Sequence, residues 1–203
     1  ASSPTKVDYG KQYNNKTAVL RKAYANFQGS EAFDAFQVEN EAWLPDFCLF
    51  MALKGEKNSA AWYTWEDDLK FRKARALNAA KKRLADEIRF FAFVQFLFYK
   101  QWSALRAYAN GKDIEIIGDV PIYVPYDSVE VWTEPKLFQL DKDLAPTAVA
   151  GCPPDAFSAD GQLWGNPLYN WKKIAKDGYS WWLRRLGAAG KLYDVVRLDH
   201  FRG

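Results

Sequence analysis

The stretch Tyr193-Asp194-Val195-Val196-Arg197-Leu198-Asp199 reads as a short buried β-strand that runs up to a terminal carboxylate. Ile114-Glu115-Ile116-Ile117-Gly118-Asp119 has the same form and the same ending. Between them lies a long aperiodic segment, 120–170, rich in Pro, Gly, Asp and aromatic residues. A helical pattern follows from Tyr179 to Ala189, with Trp181, Trp182 and Leu186 on one side and Gly190 as its stop. Strand, loop, helix, strand is the grammar of a parallel sheet with crossover helices, so the fold class is α/β. A parallel strand needs a covering helix on each face, yet only His200 to Gly203 follow the second strand. A closed eight-stranded barrel takes about 250 residues. The sequence is therefore expected to be a piece of a longer protein, a partial parallel α/β barrel.

Upstream of the first strand the pattern is helical. Lys16 to Ala25 carries Val19, Leu20 and Tyr24 at helical spacing, while Lys6-Val7-Asp8-Tyr9-Gly10 has no period and reads as loop. Glu31 to Lys54 steps through Phe33, Phe36, Trp43, Phe47 and Phe50 at three- and four-residue intervals, and Pro45 is expected to divide it into two helices. After a polar break at Gly55 to Ser59, Glu66 to Tyr108 is the longest helical stretch, with a break near Asp86 and a stop at Asn110-Gly111-Lys112.

Composition narrows the classes. At 49% hydrophobic, 26% charged and a net charge of +3, the chain is an ordinary globular one. The longest apolar run, Phe90 to Phe98, is interrupted by Gln95 and too short for a bilayer, and Ala1 to Lys6 lacks an apolar signal core. No membrane association is expected, and the expected compartment is the cytoplasm, with a plastid protein stripped of its transit peptide looking the same. The basic run from Lys70 to Arg83 is interleaved with acids (Asp67, Asp68, Asp86, Glu87), so it reads as a solvated helix face and no nucleic-acid partner is expected. Cys48 sits in an apolar helix and reads as packing. With Cys152 it cannot form a multi-thiolate site, and His200 is the only histidine, so no metal is expected. No phosphate-binding glycine loop and no nucleophile elbow occur, and no cofactor is expected.

The candidate chemistry gathers around the two strand ends. Arg197 and Asp199 alternate with Leu198 and share one face, and a guanidinium beside a carboxylate favours its ionised form. That state suits a nucleophile rather than a proton donor, but a purely structural ion pair fits the residues equally well. Asp119 ends its strand in the same way, and there a carboxylate capping the next turn is the better reading. The long loop supplies Gly151-Cys152-Pro153-Pro154-Asp155-Ala156-Phe157-Ser158 and Gly161-Gln162-Leu163-Trp164-Gly165-Asn166-Pro167-Leu168-Tyr169. Flat apolar faces set among an acid, an amide and a hydroxyl are the mixture a sugar site needs. A rigid loop pinned by Trp164 into the core is the competing reading.

These stretches also carry a resemblance. Ile117-Gly118-Asp119-Val120-Pro121-Ile122-Tyr123-Val124, Tyr126-Asp127-Ser128-Val129-Glu130-Val131-Trp132, the two loop segments above and Arg197-Leu198-Asp199-His200-Phe201-Arg202-Gly203 closely resemble the amylomaltase family of 4-alpha-glucanotransferases. Val7-Asp8-Tyr9-Gly10 and Trp43-Leu44-Pro45-Asp46-Phe47 fit the same pattern, so the resemblance covers nearly the whole chain.

The resemblance implies a partial (β/α)8 barrel with helical insertions, the chain being truncated at both ends: 1–26 as the start of the barrel portion, 27–86 as an insertion, and 87–203 as a central barrel portion with a substrate loop over 120–170. It implies transfer of α-1,4-glucan segments to acceptor sugars by retaining double displacement. Asp199 matches the family's nucleophile, Arg197 the arginine that holds it and His200 a sugar-contacting histidine. Asp119 matches a substrate-orienting or structural aspartate. Asp155, Phe157 and Trp164 fall in the loop that arches over the glucan, and Tyr9 matches a tyrosine of a secondary glucan site. The family's acid/base glutamate lies on a later strand, so the chain alone is expected to be inactive. A related α-glucan hydrolase and a non-catalytic glucan-binding module are the alternative functions.

Overall fold

The computed structural model describes residues 5–156 and 158–200. Helix α1 spans Tyr9–Ala25, and the Asp8 carboxylate caps it by accepting the Lys11 N–H at 3.0 Å. The segment expected as a loop thus supplies the cap and first turn of a longer helix. Its amino-terminal half is exposed, so no buried face imposes a period there. Helix α2 (Glu31–Glu39) is capped by Ser30, and α3 (Leu44–Glu56) carries Pro45 in its first turn, where a missing N–H costs nothing. Pro45 therefore opens the second helix, as the divided reading requires. Next come α4 (Asp67–Lys70), α5 (Ala74–Arg83) and α6 (Ala85–Asn110), with the break at Leu84, close to Asp86.

Strand β1 (Ile117–Pro121) leads to α7 (Val129–Thr133), then β2 (Val149–Cys152), β3 (Gln162–Pro167), α8 (Trp171–Lys176), α9 (Ser180–Leu192) and β4 (Val195–Asp199). The segment 120–170 is therefore not an aperiodic loop, because β2 and β3 form an antiparallel hairpin within it. The hairpin is only partly buried, and with Leu163 at 81% exposure it shows no apolar alternation to be read. Glycine is required there twice. A Cβ on Gly151 would lie 2.4 Å from the Gln162 carbonyl oxygen, and Gly161 adopts φ +72° against the Cys152 carbonyl. Gly190, expected to stop α9, is tolerated inside it, and the helix runs on to Leu192.

Strands β1 and β4 pair in parallel, with Ile117 opposite Val195, Asp119 opposite Arg197 and Pro121 opposite Asp199. They are not buried on both faces as their composition suggests: Gly118 and Val120 are covered, while Ile117 and Val195 are exposed. The alternation reflects what packs on the sheet, since a Cβ on Gly118 would sit inside the Tyr193 ring. Asp194 ties the sheet to α6 by accepting from the Ile116 N–H (2.8 Å), Asn110 Nδ2 (2.9 Å) and Arg106 Nε (2.8 Å). Led by the backbone donor, these bonds hold its carboxyl down at about 2.

Two apolar cores form, and each draws residues from both sides of Asp86. One gathers Leu49, Leu53 and Trp62 with Trp132, Tyr169 and Ile174. The other gathers Tyr24, Phe33, Phe36 and Cys48 with Phe90 and Phe93. Burial pushes the Cys48 thiol up to about 12, in keeping with a packing role. Three members of the basic run pair with acids: Arg72 with Asp46 (2.8 Å), Lys73 with Asp68 (2.6 Å) and Arg83 with Glu56 (2.8 Å). No helix among the described residues is long and apolar enough to cross a membrane.

Candidate active site

Asp199 ends β4, and beside it opens a cleft of about 220 Å³ lined by Pro121, Ile122, Tyr123, Trp164, Asn166, Asp199 and His200. The parallel register builds it. The chain leaving β1 forms one wall, the end of β4 forms the floor, and β3 lays its residues across the opposite side. His200 turns into the left-handed region, φ +47°, and sets its Nδ1 2.9 Å from Asp199 Oδ2. The Trp164 ring meets the imidazole edge-on, 4.8 Å between centroids at 69°, and its indole N–H donates to Gln162 Oε1. Trp164 is thus a wall of the cleft and not a pin in the core.

Arg197 does not chiefly serve Asp199. Its guanidinium forks onto Asp119 across the ladder, Nε to Oδ1 at 2.9 Å and Nη2 to Oδ2, and passes Asp199 Oδ1 at 3.7 Å. The fork holds the Asp119 carboxyl below its ordinary value, and the same hydrogen bond raises the guanidinium. Asp119 is therefore neither a turn cap nor a residue poised to give up a proton. Its folded pKa is depressed, so the ion pair is complete above the ordinary carboxylate range and dissolves as pH falls through the lowered value. The Asp119 carboxyl carbon followed by NMR should titrate below about 3.9, and Arg197→Gln should bring the midpoint back towards that value. A midpoint at or above it in the unmodified protein would contradict the fork.

Asp155 and Tyr9 are not among the described residues that line the cleft. Asp155 Oδ1 accepts the Ser158 N–H at 2.8 Å within a turn of its own loop. Tyr9 lies 80% exposed on the first turn of α1. Phe157 lies outside the described residues, as does Phe201-Arg202-Gly203 of the last motif. Sequence reasoning missed Tyr123 and Asn166 as lining residues. Asn166 was within reach, two residues beyond Trp164 on the same strand and so on the same face. Tyr123 follows the strand end by a short irregular turn that no period marks.

Chemically, the cleft presents one carboxylate and one imidazole between aromatic walls. Asp199 can attack an electrophilic carbon, while Trp164 and Tyr123 offer ring faces to the C–H side of a sugar. The second carboxylate of the neighbourhood, Asp119, is committed to Arg197 as an anion.

Comparison with known proteins gives a consistent result. The 4-alpha-glucanotransferase family model matches residues 1–203. The 4-alpha-glucanotransferase of Clostridium butyricum is 46% identical over 200 residues, 97% of this chain and 41% of that protein. That of Aquifex aeolicus is 49% identical over 191 residues, 94% of this chain and 39% of the relative. Among solved structures, an amylomaltase from Streptococcus agalactiae in complex with acarbose superposes with a TM-score of 0.92 at 44% identity, covering 99% of this chain and 41% of that one. The chain spans about two-fifths of the length of these relatives.

Proposed function

Because the chain belongs to the 4-alpha-glucanotransferase family, we propose that it supplies the nucleophile and one side of the donor cleft of an enzyme that moves α-1,4-glucan segments between sugars. The observation that carries this reading is Asp199 at the carboxyl end of a parallel strand, opening into a cleft walled by Trp164 and Tyr123. Carboxyl ends of parallel strands are where barrel enzymes place their catalytic groups, and the α/β chain is read as part of such a (β/α)8 barrel.

In the proposed reaction Asp199 Oδ attacks the anomeric carbon of a bound donor glucan. The bond to the leaving glycosidic oxygen breaks as a proton is delivered to it, and a glycosyl ester on Asp199 remains. An acceptor sugar hydroxyl then attacks the same carbon, loses its proton and releases the Asp199 carboxylate, so configuration is retained over two inversions. Arg197 contributes positive charge 3.7 Å from Asp199 while Asp119 fixes its plane, and His200 orients the carboxylate through its 2.9 Å contact. Asp119, Arg197, His200 and Trp164 are the proposed substrate-positioning residues around Asp199. Asp155 and Phe157 are proposed to act from the neighbouring loop.

Product chromatography tests the reading. The full-length enzyme incubated with maltotriose should give glucose together with a ladder of longer maltooligosaccharides. Shorter sugars alone would mean that water replaces the acceptor and the enzyme is a hydrolase. Untouched maltotriose would leave only a glucan-binding module.

A further inference from the structure

The two walls of the cleft are joined behind their lining side chains. On one wall, residues 122–124 leave β1 in an irregular turn whose carbonyls have no strand partner in the β1–β4 ladder. Two of these carbonyls are taken by side chains from the opposite wall. The Tyr169 hydroxyl donates to the Ile122 carbonyl at 2.8 Å, and Asn166 Nδ2 donates to the Val124 carbonyl at 2.9 Å. Between these bonds the Tyr123 ring lies nearly parallel to the Tyr169 ring, 5.7 Å between centroids at 16°, and it stands 6.3 Å from Trp164. Tyr169 is itself 1% exposed, packed among Phe138, Trp171, Trp181 and Trp182. It cannot touch a substrate, yet its hydroxyl reaches the segment that does.

We infer that Tyr169 is a positioning residue for donor binding: through its bond to the Ile122 carbonyl it sets the spacing between the Tyr123 and Trp164 walls of the cleft. The inference rests on the glucanotransferase reading of that cleft. Several features suit Tyr169 to the task. Burial keeps the phenol protonated and therefore a donor, since its pKa is pushed upward. The ring is locked by its aromatic neighbours, so the hydroxyl position is fixed before substrate arrives. Arg185 of α9, with Nη1 3.4 Å from both the Ile122 carbonyl and the Tyr169 hydroxyl, ties the bond to the helix that leads into β4 and Asp199. Asn166 makes the parallel bond but also lines the cleft, so only Tyr169 separates positioning from contact.

A residue that shapes a binding wall without approaching the reacting atoms contributes equally to ground state and transition state. Its loss should raise KM and leave kcat in place. Tyr169→Phe removes the hydroxyl alone and keeps the ring packing. In the full-length enzyme it is expected to raise KM for maltotriose about three- to tenfold, the worth of one buried hydrogen bond. The Kd for acarbose measured by calorimetry should rise by the same factor, with kcat within about twofold. The melting temperature should fall by no more than about 4 °C. Unchanged KM and acarbose affinity would overturn the inference. So would a fall in kcat with KM intact, or a large drop in melting temperature with kcat falling alongside it, because each marks a merely structural phenol. Should the unmodified enzyme fail to make any product from maltotriose, the functional reading falls instead, and that failure is visible before the variant is made.

Discussion

Asp199→Asn in the full-length enzyme is expected to abolish glucan transfer, lowering kcat by about 10⁴-fold or more, as removal of a catalytic nucleophile does. The substitution is nearly isosteric. The amide oxygen can still accept from His200, and the side chain sits at a strand end with 41% of its surface exposed, so the fold has no reason to change. What is lost is the negative charge and lone-pair reactivity that form the glycosyl ester. The rate of glucose release from maltotriose measures the effect, and an unchanged melting temperature shows that chemistry rather than folding was removed. A variant retaining more than about a hundredth of the activity would show that the ester forms elsewhere or does not form.

The same site shows what a sequence can and cannot carry. Both strands were legible, because runs such as Val195-Val196 and Ile116-Ile117 are local features, but only Asp199 ends its strand: β1 runs on past Asp119 to Pro121, so the carboxylate expected at its end sits in the middle of the ladder. The partner of Arg197 was not. Strand alternation puts Arg197 on the face of Asp199, but side chains two apart along a strand start about 6.6 Å from one another, whereas neighbours across a ladder start about 4.8 Å apart. The register places Asp119 opposite Arg197, and the nearer carboxylate takes the fork. Register depends on contacts outside the strands, such as Tyr193 packed against Gly118 and α9 packed on β1 and β4, and no pattern within either strand alone encodes it.

The hairpin escaped for a different reason. A half-buried strand announces itself by alternation, and β3 exposes Leu163 while placing Trp164 in an open cleft, so its hydrophobic residues do not follow burial. Elsewhere the aromatic residues were legible at helical spacing because they do obey burial: Phe33, Phe36, Phe90 and Phe93 converge on one core. Helix caps fall between these cases. Asp8 starts α1 through a single side-chain bond, a signal that periodicity overlooks when the first turns lie exposed, whereas α2 starts at Glu31 as read, with Ser30 as its cap and Phe33 buried in its first turn.

The 203-residue chain on its own should yield neither glucose nor a product ladder from maltotriose, even when circular dichroism shows it folded. Retaining transfer needs a proton donor as well as a nucleophile, since a sugar leaves poorly as an alkoxide, and such a donor contributes about 10²- to 10⁴-fold. Among the described residues, Asp199 is the sole carboxyl lining the cleft. Asp119 is its nearest rival, but the Arg197 fork stabilises the carboxylate, and a carboxyl held below its ordinary pKa is the wrong acid at neutral pH. His200 is engaged with Asp199 itself at 2.9 Å. The relatives are more than twice as long as this chain, which leaves room for the missing acid. A ladder from the isolated chain would mean that one of these side chains does give up a proton, and Asp119→Asn and His200→Asn assayed side by side would then show which.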